Sequence, residues 1–281
     1  MPATETYHPI HSDFIVHWTG KDIDEKYPVA LGDFSKPNKV VDDLYLERLK
    51  SILKNGLWMN KDNPATPLII AGKTIPRPTP YRTCFTELRL SDVRHHASKF
   101  GRLGIGFKRF YLFDRMGAPM IYYMENGHNW YVPESVTPHD YSLSFLKGMS
   151  TTKNGMIHYS YYDESEWRII YDDQIDAQLK ANGKGVTAKL FEKVTATSHP
   201  PEISASPKMP GYLIPIDGRW FAVIIYPSIA AKVRAHADKV IQSLIDDFKP
   251  TYPGTGDSTV SADYEDYNRP FEMDIDACSN L

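Results

Sequence analysis

Cysteine is nearly missing from this chain: Cys84 and Cys278 are the two present, and they stand far apart. That spacing excludes a disulfide framework and suits a reducing cytoplasm, with Cys84 expected as a small buried hydrophobe. No apolar run reaches the roughly 18 residues that a membrane helix needs. The stretch from Met1 to Ser12 has no basic start followed by an apolar run, so no secretory leader is expected there. A basic excess is also lacking. The formal net charge is −3 and the pI is near 6.4, which argues against a bulk nucleic-acid binder. Gly101-x-x-Gly104-x-Gly106 reverses the dinucleotide fingerprint and leads into strand-like residues, and Gly183-Lys184-Gly185 lacks P-loop spacing. H-E-x-x-H, paired C-x-x-C and G-x-S-x-G are all missing, which removes the usual anchors of zincins, zinc ribbons and α/β-hydrolases.

What is present is an ordinary globular composition, 42% hydrophobic and 24% charged, in which strand and helix patterns mix. Phe14 to Val16, continuing into His17-Trp18-Thr19, reads as a first strand, followed by a loop rich in Lys, Asp and Pro. Asp42 and Asp43 open a helical pattern of Leu44, Leu46, Leu49, Ile52 and Leu53 that stops at Asn55-Gly56. Asn60 to Pro80 holds five prolines and predicts a long irregular excursion, a candidate lid or binding loop, interrupted by strand-like Leu68-Ile69-Ile70. Strands are expected at 82–88, 101–107, 119–124, 167–171 and 220–226, and a short helix capped by Ser91. Glycines 104 and 106 suggest close approach of another backbone or a ligand. Pro227-Ser228 starts an amphipathic helix through Phe248. One domain over 1–250 is expected. Beyond it, 251–281 reads as an acidic flexible or surface-draped tail, because acids dominate and apolar periodicity vanishes.

Two places bear on chemistry. Glu164 and Glu166 are two apart at the head of an apolar strand, so they share one face, and mutual repulsion is expected to raise at least one pKa. A ligand, a metal or catalysis would justify that arrangement. So would a plain surface turn in which Arg168 neutralises one acid. His17 beside the first apolar run reads either as a hydrogen-bonded structural residue or as a site residue. His8-x-x-His11 and His95-His96 are spaced poorly for a shared metal, and no metal is expected.

In order along the chain, several short motifs resemble one family. Val16-His17-Trp18-Thr19 and Ile52-Leu53-Lys54-Asn55-Gly56-Leu57 resemble the opening of DarT-type ADP-ribosyltransferases. Cys84-Phe85-Thr86-Glu87, His95-His96-Ala97, Phe100 to Phe107, Gly117 to Tyr122 and Tyr161 to Arg168 resemble the AbiGi-type abortive phage-infection family more closely. The resemblance spans roughly residues 14 to 245. It implies an α+β, ADP-ribosyltransferase-like fold, in which two small, mostly antiparallel sheets flank a nucleotide cleft, with peripheral helices. It implies NAD as substrate and transfer of ADP-ribose to a protein or nucleic acid, or NAD cleavage, in anti-phage defence. By the same resemblance Glu166 is the catalytic glutamate, Glu164 its preceding acid, and His17 the partner of the nicotinamide ribose. Trp18, Thr19 and Thr86 line the cofactor site, Arg82 and Arg102 reach its pyrophosphate, and Trp18 or Tyr81 stacks on a ring. A carboxylate so placed stabilises positive charge developing on the ribose. The catalytic arginine of DarT-type enzymes and the middle tyrosine of the His-Tyr-Glu class have no counterpart. The alternative is therefore an inactive antitoxin or sensor that binds a toxin or phage component, with the acidic tail as contact. A third option is a nuclease holding a divalent metal on Asp163, Glu164 and Glu166. An enzyme predicts His17 and Glu166 facing one cleft; a binding module predicts them separated or held in structural bonds.

Overall fold

Alternating apolar residues build most of the molecule, and nearly all the strands they form join one sheet. A computed structural model describes residues 14–28, 38–61, 67–70, 73–87, 92–124, 141–149, 165–181, 190–194, 211–248 and 269–278. Strand β1 (Phe14–Thr19) turns at Gly20 into α1 (Lys21–Lys26), a helix where the sequence suggested a loop. Asp22 and Asp24 in its first turn suit the helix N-terminus. Gly20 has φ 102°, and a Cβ there would sit 2.1 Å from Tyr45 Cε1, so glycine is required on both counts.

Helix α2 (Lys39–Asn55) starts three residues before the expected Asp42. Its cap is Asn38, whose side chain accepts from the N–H groups of Val40 and Val41 at 3.2 and 3.4 Å. Asp42 is instead buried, taking a hydrogen bond from Ser228 Oγ at 3.1 Å and facing Arg234 at 3.6 Å. The chain continues through β2 (Leu57–Lys61), the antiparallel pair β3 (Leu68–Ile70) and β4 (Lys73–Ile75), β5 (Tyr81–Glu87), α3 (Val93–Phe100), β6 (Leu103–Lys108) and α4 (Phe110–Phe113). Next come β7 (Ala118–Pro119), β8 (Ile121–Met124), a 3-10 turn over Tyr141–Phe145, β9 (Leu146–Met149), β10 (Glu166–Tyr171), α5 (Asp173–Ala181), β11 (Glu192–Val194), β12 (Gly211–Ile214) and β13 (Phe221–Tyr226). The helix expected through Phe248 is two: α6 (Ile229–Ala237) and α7 (Lys239–Asp246). Asp238 between them bonds Val240 N–H at 2.9 Å and Ile241 N–H at 3.3 Å, capping the second helix.

The architecture is α+β, as expected, but ten strands form one mostly antiparallel sheet where two small ones were anticipated; β3–β4 and β8–β9 stand apart as two-stranded pairs. The main path runs β11-β12-β2-β5-β1-β6-β13, with β10 also on β5 and β7 on β10. Strand β5 joins what would otherwise be two halves. Along one edge it pairs with β10 over six residues, Tyr81 to Thr86. Its other edge forks: β1 takes Thr86 and Glu87, and β2 takes Tyr81 and Arg82.

The main core packs Ile15, Phe85, Ile105, Phe107 and Ile224 with residues of α2, α6 and α7. A second apolar cluster lies on the opposite sheet face, where Val16, Trp18, Val223 and Ile225 meet α3. The chain end completes it. β14 (Phe271–Asp274) pairs in parallel with β13, and α8 (Ile275–Cys278) adds Ile275 and Cys278. This corrects the tail reading for residues 269–278; residues 251–268 lie outside those described. The acids there serve the fold. Glu272 accepts from Tyr226 at 2.6 Å and meets His236 at 2.9 Å, Asp274 caps Ala277 N–H at 2.9 Å, and Asp276 pairs with Arg94 at 3.0 Å. No helix among the described residues is long and apolar enough to cross a membrane.

Candidate functional site

Strand register decides where the expected site residues point. Val16, Thr86 and Glu166 form one cross-strand row, so their side chains share a sheet face. Ile15 pairs with Glu87, and His17, two residues on from Ile15, lies with Phe85 on the other face. His17 and Glu166 therefore do not face one cleft.

His17 occupies the fork on β5. Between the two short pairings, the Cys84 carbonyl would lack a strand partner, and His17 Nδ1–H donates to it at 2.9 Å. Thr83 Oγ1 bridges the other prong, donating to Trp58 C=O at 3.1 Å. Burial lowers the His17 pKa; the Cys84 bond opposes this and the Arg48 charge adds to it, for a net downward shift. The ring is thus a neutral strut. Thr19, on the same strand face, accepts from Arg48 at 3.2 Å, and Arg48 also pairs with Asp22 at 2.8 Å.

Glu166 lies under the 141–149 segment as a buried carboxylate with both oxygens engaged. Arg168 Nε donates to Oε1 at 2.6 Å, and Lys147 Nζ to Oε2 at 2.9 Å. Arg168 also donates to Ser144 C=O at 2.8 Å. Burial alone would raise the Glu166 pKa, but these two cations hold it at about 2. At Glu166 itself the shift is downward, because Arg168 and Lys147 are its neighbours; Glu164, the other acid of the expected pair, and Asp163 lie outside the described residues. Thr86 is buried beside Glu166 in register, and the Cys84 thiol on the same face is pushed up to about 12 by burial and the Glu166 charge.

Of the other residues expected at a cofactor, Trp18 and Arg82 share the sheet face of Glu166. Trp18 is in the second apolar cluster, 7% exposed, beneath α3. Arg102 is buried, donating from Nε and Nη2 to Asp24 at 3.0 and 2.8 Å and lying over the Tyr45 ring at 5.2 Å. The ion pair and the ring hold it inside the fold. Arg82 shares the Cys84 face of β5 and is half-buried. His8 and His11 lie outside the described residues, and His95 and His96 stand edge to face at 5.7 Å. Among the described residues no group of three His, Cys, Asp or Glu side chains converges to hold a metal.

A cleft of about 790 Å³ opens at the other end of β5, lined by Lys61, Pro76, Arg77, Pro78, Thr79, Tyr81, Tyr141, Asp172, Asp173, Gln174, Gln178, Lys193 and Tyr212. Part of the proline-rich excursion, 76–79, forms one wall. Of the ring-stacking candidates only Tyr81 reaches it. The other lining residues come from β2, the 141–145 turn, the start of α5, β11 and β12. They escape sequence reading because they come together only through pairings of distant strands. Comparison of the chain with models of known protein families, with curated proteins and with solved structures found no match.

Proposed function

We propose that the chain is an anti-phage defence protein of the abortive-infection type, with an ADP-ribosyltransferase-like arrangement, that works by binding. Its partner is a toxin or a phage component, which makes it an antitoxin or sensor. The observation that carries this reading is the divided pair. His17 and Glu166 sit on opposite sheet faces, and each is held in bonds of the fold itself.

The fold-level likeness draws support from Thr86 standing beside Glu166. The chemistry draws none. A glutamate that stabilises developing positive charge on a ribose must present an oxygen to it. Both Glu166 oxygens face Arg168 and Lys147, and two fixed cations there would repel an oxocarbenium-like ribose. Transfer of ADP-ribose from NAD to a protein or nucleic acid, or NAD cleavage, is the competing activity. The test is incubation of the purified chain with NAD and assay of released nicotinamide. No release above the blank is expected. Release that disappears in a folded Glu166→Gln variant would sink the binding reading and restore the enzyme.

A further inference from the structure

The cleft at the far end of β5 has a chemistry of its own. Three cationic side chains, Lys61, Arg77 and Lys193, face it against two carboxylates. Both carboxylates are already engaged. Asp172 accepts from Ile175 N–H at 2.8 Å and from the Tyr141 hydroxyl at 3.0 Å. Asp173 accepts from Lys193 at 2.6 Å and from the Tyr212 hydroxyl at 2.5 Å. Those bonds hold Asp173 below the usual carboxylate range, on a side chain that is itself largely exposed. With Lys193 spent on Asp173, Lys61 and Arg77 stand against Asp172, a net single positive charge, and Arg77 also donates to the Leu146 carbonyl at 3.0 Å. Lys61 carries that charge most openly: its side chain is exposed, with the ammonium 5.5 Å from the centre of the Tyr81 ring.

The second component is aromatic. Tyr81 and Tyr212 meet edge to face at 5.0 Å, and Tyr141 lines the cleft with them. Tyr171 buttresses Tyr212 at 5.1 Å and stacks on Phe191 at 3.9 Å, so the rings rest on a packed aromatic base. The volume lies within the roughly 300–1,000 Å³ of small-ligand sites. Rings beside cations are the pairing that takes a flat heterocycle and a phosphate together.

We propose that this cleft binds a free nucleoside phosphate, its base against the half-buried Tyr81 and Tyr141 and its phosphates toward Lys61 and Arg77. The assignment goes beyond the antitoxin or sensor reading and does not rest on it. The Glu166 cluster takes no part, since no residue of that cluster lines the cleft.

The test is calorimetric titration of the full chain with ADP, adenosine and inorganic phosphate. ADP is expected to bind saturably, with adenosine and phosphate each at least about tenfold weaker, because each keeps half of the contacts. Lys61→Glu should weaken ADP at least about tenfold and Lys61→Arg should retain it. Lys239→Glu, an exposed charge reversal on α7, should leave ADP binding unchanged. Circular dichroism establishes that each variant is folded. No ADP binding at millimolar concentration, or ADP binding indifferent to Lys61→Glu, overturns the proposal. Either failure is separate from the nicotinamide assay, which reads bond cleavage and not occupancy of this cleft.

Discussion

Glu166 shows how one side chain's partners decide its role. Its spacing from Glu164 was legible in the sequence, and so was Arg168 as a neutralising neighbour. Lys147 was not, because it arrives from a segment 19 residues away. The carboxylate and its cations now form a buried ionic cluster, whose integrity matters more than its net worth. Arg168→Met leaves a buried carboxylate short of one partner and is expected to lower stability by about 3–5 kcal/mol, read by urea unfolding at neutral pH. The same measurement against pH gives a second signature. The folded pKa is depressed from 4.5 to about 2, so the stabilisation is complete above 4.5 and is lost as pH falls through 2. Glu166→Gln should flatten the unfolding free energy across that window. His17 was readable as either a strut or a site residue. The fork that makes it a strut depends on which strands share β5, and local pattern does not carry that information.

Strands and helices were read better than their partners. The expected strands at 82–88, 101–107, 167–171 and 220–226 correspond to β5, β6, β10 and β13 within two residues at either end. Alternation is a local property that survives in any tertiary setting. The misses have local causes too. Asn38 caps α2 ahead of Asp42 and Asp43, so taking those acids as the helix start set it three residues late. Asp238 ends one helix and begins the next while the apolar spacing runs on across it. Glycines 104 and 106 suggested close approach of another backbone or a ligand; the nearest neighbours are instead packed side chains. A Cβ on Gly106 would lie 2.2 Å from Val223 Cγ1 on the adjoining strand. Gly106→Ala must therefore push β6 and β13 apart. A loss of roughly 1–3 kcal/mol is expected in the same unfolding assay, and an unchanged midpoint would mean the strands adjust freely.

At the scale of the molecule, the sequence misjudged the chain end. Asp274 and Asp276 look like a solvated run, yet the apolar residues between and around them, Met273, Ile275 and Cys278, are each at most 3% exposed. A four-residue strand is too short for its alternation to stand out against a long acidic stretch. Its docking closes the second apolar cluster, on which Val16 and Trp18 of the histidine strand also depend. The two thiols are consequently reporters of two different events. Cys278 sits on the short helix at 275–278, its Sγ 3.3 Å from the Asp274 carbonyl, and burial pushes its pKa up to about 11. Cys84 sits inside the sheet, between β10 and the fork. Cys278 is fully buried and Cys84 half-buried. In a timed alkylation under native conditions, Cys278 is expected to label only as the chain end peels away, and more slowly than the partly accessible Cys84. Cys278 labelling as fast as Cys84 would mean that the terminal turn opens freely. With two cysteines so placed, the natural chain is already a paired kinetic probe of its own edge and its own centre.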